Sequence, residues 1–226
     1  MTGDSLERSA ERDAAIRAIL PHVPARGWTW SALRAGLAGL GRDPVEAASL
    51  FPRGPIGAIE AWSDLADREM NEAAAAANLA VLRTPARIRR LVELRLRAAV
   101  PHREALRRAL ALLALPWNAG VAVRCAARTA DAMWHAAGDR SADFSWYTRR
   151  ASLAAIYLAT LAFWLRPEAD AADPEEHLAA TLRFLDRRMG DLMRLAKGRA
   201  ALCARLRPGP PRHRGTPAGE GGQPAA

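Results

Sequence analysis

An all-α fold is predicted for this chain by three observations. Half of its 226 residues are hydrophobic, with Ala and Leu dominant. Val, Ile and Thr are sparse and no alternating apolar pattern persists, so strands are not expected. Helix-start signals and prolines also divide the sequence into segments of helical length. The first segment, roughly 5–20, stops at Pro21, and the next, 29–39, stops at Gly39-Leu40-Gly41. A short segment at 44–50 opens on Asp43-Pro44-Val45-Glu46, a capping box with proline at the first helical position, and stops before Pro52. A long segment, 56–80, follows. Thr84-Pro85 starts 85–99, Pro101 and Pro116 bracket 102–115, and 118–137 and 144–165 run on to Pro167. Asp173-Pro174-Glu175-Glu176 is a second capping box and starts 174–206. From Pro208 the sequence PGPPRHRGTPAGEGGQPAA has no apolar periodicity and is expected to be disordered. The expected organisation is an N-terminal module at 1–55, a helical bundle at 56–207 and a tail at 208–226.

Composition excludes several classes. Cys125 and Cys203 stand alone, which indicates neither a disulfide framework nor a zinc site. No third ligand accompanies the helical pair Asp131 and His135, no Glu-x-x-His is present, and no phosphate loop or Ser/His/Asp grouping can be assembled. The chain therefore reads as a non-enzyme with no cofactor. Acidic Asp4, Glu7, Glu11 and Asp13 do not suit a targeting leader. The chargeless run 151–165 is fifteen residues long, about 22 Å as a helix, short of the roughly 30 Å hydrocarbon core. It is expected to be a buried helix. Net charge is +9, and most of the excess lies in 183–214, where ten Arg/Lys face Asp186 and Asp191 (10 minus 2, or +8). Within it, Leu192, Met193, Leu195, Leu202 and Leu206 interleave with basic residues, a pattern suited to an anionic membrane surface or to a packed helix with a basic outer face.

Short N-terminal helices around a glycine turn, then a long helix and a larger bundle, are the layout of TetR-type regulators, with a helix-turn-helix-like N-terminal module. The expected recognition segment argues against sequence-specific DNA binding. It should offer Arg, Lys, Asn or Gln to base edges but has Val45, Glu46, Ala47, Ala48 and Ser49, and Asp43 and Glu46 would repel phosphates. No specific nucleic-acid partner is expected. The alternative reading is a TetR-type regulator sensing a hydrophobic ligand.

The most distinctive stretch is 130–157, ADAMWHAAGDRSADFSWYTRRASLAAIY. Trp134, Phe144, Trp146, Tyr147 and Tyr157 surround a Gly-Asp turn, and Arg149 and Arg150 follow. Tryptophan and tyrosine beside arginine suit an interaction surface. Arg150 lies four residues after Trp146 and can share its helix face. The same rings could instead fold inward as a lid. Leu153, Ile156, Tyr157, Thr160, Leu161 and Trp164 recur at helical spacing, as do Val121, Cys125 and Met133 on the preceding segment. An ordinary core and a ligand cavity share that pattern.

The motifs Leu115-Pro116-Trp117-Asn118, Asp131-Ala132-Met133-Trp134-His135, Ala137-Gly138-Asp139 and the run 143–150 (DFSWYTRR) carry a resemblance. So do Thr181-Leu182-Arg183-Phe184-Leu185-Asp186-Arg187-Arg188, His22-Val23-Pro24, Gly27-Trp28-Thr29 and Leu50-Phe51-Pro52. Over roughly 10–195 the chain resembles the coenzyme Q (ubiquinone) biosynthesis lipid-binding proteins, the protein-nine family of the Q pathway and their bacterial relatives. The family's usual Trp in the last-helix motif is Leu182 here.

The resemblance implies a TetR-like homodimer, in the bacterial cytoplasm and peripheral to the inner membrane. It implies a non-catalytic accessory that presents a prenylated quinone intermediate to a membrane hydroxylase of the ubiquinone pathway. The bound molecule would be an isoprenoid quinone precursor or a phospholipid. On those terms Trp117, Val121, Cys125, Met133, Leu153, Ile156, Tyr157, Thr160 and Trp164 are the lipid-binding candidates. Asp143, Trp146, Tyr147 and Arg150 are the candidates for the hydroxylase-docking patch.

Overall fold

The computed structural model describes residues 8–138, 145–166 and 173–206, with the side chains of 145–146 and 196–206 outside the description. Within these residues the chain is ten α-helices joined by short turns, with no strand. They are α1 (Ala10–Ile19), α2 (Val23–Arg26), α3 (Trp30–Gly39), α4 (Ala47–Leu50), α5 (Gly54–Ala76), α6 (Thr84–Ala99), α7 (Arg103–Leu113), α8 (Ala119–Ala136), α9 (Ser145–Trp164) and α10 (Pro174–Leu206). Residues Met1–Gly190 form one compact unit and Asp191–Ala226 a second. The tail expected to be disordered lies outside the described residues.

Most helices fall where the sequence predicts them, with some differences. Ser9 caps α1, accepting from the backbone of Arg12, so the helix starts later than the 5–20 segment suggested. The short α2 was not anticipated, because prolines on either side of His22 masked it. The Asp43 capping box forms with both of its bonds, but it starts a single 3-10 turn, and α4 beyond it has only four residues. Thr84 does not cap α6; it is the first helical residue, and Arg83 before it supplies no side-chain bond. The long helix begins at Gly54, not 56, and ends at Ala76, just before left-handed Asn78. At Gly54, φ is +62° and an added Cβ would lie 2.9 Å from the Trp30 ring, so both backbone and space call for glycine.

Two apolar cores share α5 as their common helix. The N-terminal one gathers Ile16, Ile19, Leu33, Leu37, Phe51 and Ile59. The other gathers Met70, Leu91, Leu96, Met133, Trp164 and Leu185. Leu106 of α7 packs against both. Among the described residues no single helix is long and apolar enough to cross a membrane. The run 151–165 lies in α9 except for its last residue, and it buries Leu153, Tyr157, Leu161 and Trp164.

The middle turns of α5 hide a feature that composition does not reveal. Glu60, Asp64 and Asp67 fall at i, i+4 and i+7, so they share one helix face, and all three are buried. Each meets at least one arginine from outside α5. Glu60 takes Arg128 at 2.9 Å and Arg124 at 3.4 Å, both from α8, and also pairs with Arg53. Asp64 takes Arg8 at 2.6 Å and Arg68 at 3.2 Å, and Arg68 reaches on to Asp13 of α1 at 2.6 Å. Asp67 takes Arg95 of α6 and the Thr129 hydroxyl of α8. Charged groups out of water are tolerated only when paired and hydrogen-bonded, so this stripe fixes where α1, α6 and α8 sit on α5.

The stripe also makes stability depend on pH. Burial pushes the Asp64 carboxyl up, but the hydrogen bonds and charges of Arg8 and Arg68 outweigh it, and its pKa lies below the usual carboxylate range. A depressed folded-state value contributes stability that is present above the unfolded value, about 4, and is lost as pH falls through the folded value. Asp64→Asn is therefore expected to unfold at a lower urea midpoint than the parent at pH 7, with the gap closing as pH drops below about 4. A gap that stays constant with pH would contradict this origin.

Candidate functional site

Alanine-rich helices leave space between them. On α8, Ala122, Ala126 and Ala127 face α7 and α9, and on α9 Ala151, Ala154 and Ala155 answer them. Methyl side chains cannot fill the distance between helix axes, and α7 covers the gap with Leu106, Leu110 and Leu113 at i, i+4 and i+7. The result is a cavity of about 1060 Å³ between α5, α6, α7, α8 and α9. That is just above the roughly 300–1,000 Å³ usual for ligand pockets. Ile59, Trp62 and Leu65 of α5 form another wall. Exposed Val123, Tyr147 and Leu158 are also among its lining residues, so the space reaches the surface between α8 and α9.

Polar groups enter this apolar space at a few places. His102 stands edge-on to the Trp62 ring, 6.4 Å between centroids, and burial pushes its imidazole down, which keeps it neutral at neutral pH. The Trp62 ring in turn lies 5.5 Å from that of Trp28, whose indole N–H donates to the Ala105 carbonyl at 3.0 Å. Deeper in, Arg95 Nε donates to the Tyr157 hydroxyl at 2.7 Å. Burial pushes both the Tyr157 phenol and the Asp67 carboxyl up, against the pull of Arg95. Burial likewise raises the Cys125 thiol, leaving it protonated and unreactive.

The lipid-binding candidates divide. Cys125 and Tyr157 line the cavity. Met133, Leu153 and Trp164 are packed in the bundle core, and Ile156 lies against that core, half-buried. Thr160 is fully buried and spends its hydroxyl on the Ile156 carbonyl at 2.8 Å. Val121 is half-buried outside the cavity wall, and Trp117 is exposed at the turn before α8. The cavity uses a neighbouring face of α8 and α9 instead: Val123, Ala126, Thr129, Ala154, Leu158 and Leu161.

The docking candidates divide as well. Tyr147 is 71% exposed in the first turn of α9, at the cavity rim. Arg150 turns inward, is nearly buried, and its Nε donates to Asp131 at 2.6 Å. It is held by an ion pair within the cavity wall and does not stand beside Tyr147 on the outside. Asp143 lies outside the described residues, as does the side chain of Trp146. Among the described residues no group of three or more His, Cys, Asp or Glu is placed to hold a metal.

In the N-terminal module α3 is followed by the four-residue α4. Of the two arginines that flank α4, Arg42 pairs with Glu46 and Glu11 and Arg53 with Glu60 within the chain. Val45 is the most exposed apolar residue of that turn.

Comparison with known proteins agrees with this architecture. A TetR transcriptional regulator from Nitrosomonas europaea superimposes with a TM-score of 0.62 at 25% identity, covering 80% of this chain and 97% of that one. The molecule is thus an all-α protein of the TetR-like fold. The COQ9 family model matches residues 119–196, which contain α8, α9 and the first two-thirds of α10. The human ubiquinone biosynthesis protein COQ9, mitochondrial, is 35% identical over 187 residues, covering 80% of this chain and 57% of that protein. The Rattus norvegicus protein of the same name is 34% identical, covering 80% and 58%, and the Schizosaccharomyces pombe protein is 29% identical, covering 80% and 69%. The chain belongs to the COQ9 family. It spans a little over half the length of the vertebrate relatives it matches.

Proposed function

We propose that this protein serves ubiquinone biosynthesis as a non-catalytic lipid-holding accessory, presenting a prenylated quinone intermediate to a membrane hydroxylase of the pathway. The observation that carries the reading is the cavity of about 1060 Å³ walled by Leu, Ala, Ile and Trp side chains and open between α8 and α9. An amphiphile with a long apolar tail matches such walls, because burying its hydrocarbon there contributes roughly 25 cal/mol per Å². The name carried by its relatives supports the pathway. Exposed Tyr147 at the rim, beside the first turn of α9, supports hydroxylase docking at the place where the ligand would emerge. The protein would act as a homodimer on the cytoplasmic face of a bacterial inner membrane, the counterpart of the mitochondrial setting named for its relatives. Exposed Leu192, Met193 and Leu195 on α10 support contact with that surface.

The fold alone favours the second reading, a ligand-sensing regulator. A four-residue α4 and an Arg42 engaged by carboxylates weigh against it.

Ala126 lies in the cavity wall on α8. Native protein extracted into organic solvent is expected to release an isoprenoid or phospholipid detectable by mass spectrometry. Ala126→Trp, which projects an indole into the cavity, is expected to reduce the amount at least several-fold while leaving the helical circular dichroism unchanged. Extracts of the parent containing neither lipid class would overturn the proposal.

A further inference from the structure

Resting on the reading of the cavity as a lipid site, one corner of it specifies what kind of head group the lipid carries. Tyr157 approaches that corner from α9 and is only 5% exposed. Its hydroxyl oxygen accepts from Arg95 Nε at 2.7 Å, and the Arg95 guanidinium lies 5.8 Å from the Tyr157 ring centroid. Arg95 is also paired with Asp67, and Asp67 in turn takes the Thr129 hydroxyl at 3.1 Å. A phenol has one proton as well as its lone pairs. Among the described residues, the hydrogen bond from Arg95 to the Tyr157 hydroxyl uses a lone pair, and no backbone or side-chain acceptor takes the proton. A second donor borders the same cavity. Arg128 spends Nη2 on Glu60 at 2.9 Å, while its buried Nε has no partner among the described residues.

A buried donor without an acceptor is costly, and an oxygen brought by a ligand removes that cost. The Arg95 hydrogen bond polarises the hydroxyl and makes it a stronger donor. At the Tyr157 hydroxyl itself the Arg95 charge is already balanced by Asp67, so this position has little to offer a head group with a full negative charge. An ammonium head would meet the Arg95 and Arg128 guanidiniums, whose like charge repels it. We propose that the Tyr157 hydroxyl is the specificity-determining donor of the cavity, binding an uncharged acceptor oxygen, a carbonyl or ether, on the head of an apolar-tailed ligand. Burial keeps the phenol protonated across the physiological range, as a donor must be.

The test compares the parent with Tyr157→Phe, which keeps the ring and removes the proton. Three probes are used: a short-chain ubiquinone, a short-chain phosphatidylcholine, and farnesene, an isoprenoid without oxygen. The variant is expected to bind the ubiquinone about tenfold more weakly, the effect of one well-made hydrogen bond, and to bind farnesene as the parent does. A similar loss confined to phosphatidylcholine also supports the donor and assigns the oxygen to an ester. Unchanged affinity for both oxygenated probes, or an equal loss for farnesene, overturns the proposal while the cavity reading stands. A parent that binds none of the three overturns both. Because the variant leaves Arg95 Nε without its acceptor, a second measurement uses the parent alone. The infrared carbonyl band of bound ubiquinone is expected below its position in hexane, and an unshifted band overturns the proposal.

Discussion

Replacing Arg95 with Met is expected to destabilise the protein by about 3–5 kcal/mol, the cost of removing one partner from a buried ion pair. Arg95 holds three groups at once: it pairs with Asp67, donates to the Tyr157 hydroxyl, and reaches the Ser63 carbonyl at 3.4 Å. Without it, the Asp67 carboxylate keeps only the Thr129 hydroxyl inside the bundle. Its pKa, already raised by burial, would rise further, so the loss is greatest at neutral pH and shrinks in acid, where the carboxyl is neutral. Such a loss is a large share of the roughly 5–15 kcal/mol that holds a typical domain together. Asp67→Leu combined with Arg95→Met is expected to recover most of it, since an apolar pair of similar volume carries no desolvation cost. Urea unfolding of the parent, both single variants and the double variant gives the coupling directly. A double variant as unstable as Arg95→Met would mean that lost packing, not an orphaned charge, is responsible.

The second large effect is expected at Gly36→Val. Here α1 and α3 cross so closely that a Cβ on residue 36 would lie 2.6 Å from Ile19 Cγ1 and 2.8 Å from the Ile19 Cα and N. The isoleucine terminus could turn aside, but its backbone cannot without moving α1 off the N-terminal core. Overpacking of this kind costs about 1–3 kcal/mol and more when backbone must shift. At roughly 2–4 °C per kcal/mol for a chain of this size, a loss of about 3 kcal/mol lowers Tm by about 6–12 °C. Gly39, on the same helix, has nothing within 4 Å of an added Cβ. Gly39→Ala should therefore leave Tm unchanged or raise it slightly. Calorimetry showing the same drop for both variants would point to the glycine backbone and not to the helix crossing.

Local chemistry made much of the fold legible. Capping boxes, prolines and glycine turns act within a few residues, so Asp43, Asp173 and Pro116 marked helix ends without any knowledge of the fold. Helical spacing correctly predicted that α9 is buried along one side. It could not say which side faces a filled core and which a cavity. Met133, Leu153 and Trp164 went to the core, whereas Val123, Ala126 and Leu158, a short rotation away, line the open space. The angle between these faces is local, but the neighbour each one meets is set by α5, α6 and α7. Arg150 shows the same limit. Its place four residues after Trp146 suggested a shared outer patch, yet Asp131, nineteen positions earlier, draws it inward.

The acidic stripe of α5 is legible in the sequence as well. Glu60, Asp64 and Asp67 fall on one helix face in a sequence almost without lysine but rich in arginine, whose planar guanidinium is the cation best suited to buried carboxylate pairing.

The sequence by itself determined the all-α class, most of the helix positions and, through the motifs from Leu115 to Tyr157 and in the last helix, the family. These depend on short-range hydrogen bonding, backbone propensity and residue identity, all of which are present in the chain before it folds. Only the tertiary structure decided that the alanine faces of α8 and α9 leave a cavity, that Tyr157 faces it backed by Arg95, and that Arg150 is part of its wall. Those outcomes depend on how far apart packed helices stand and which long-range partner satisfies each buried charge. Both are properties of the assembled bundle and of no single segment within it.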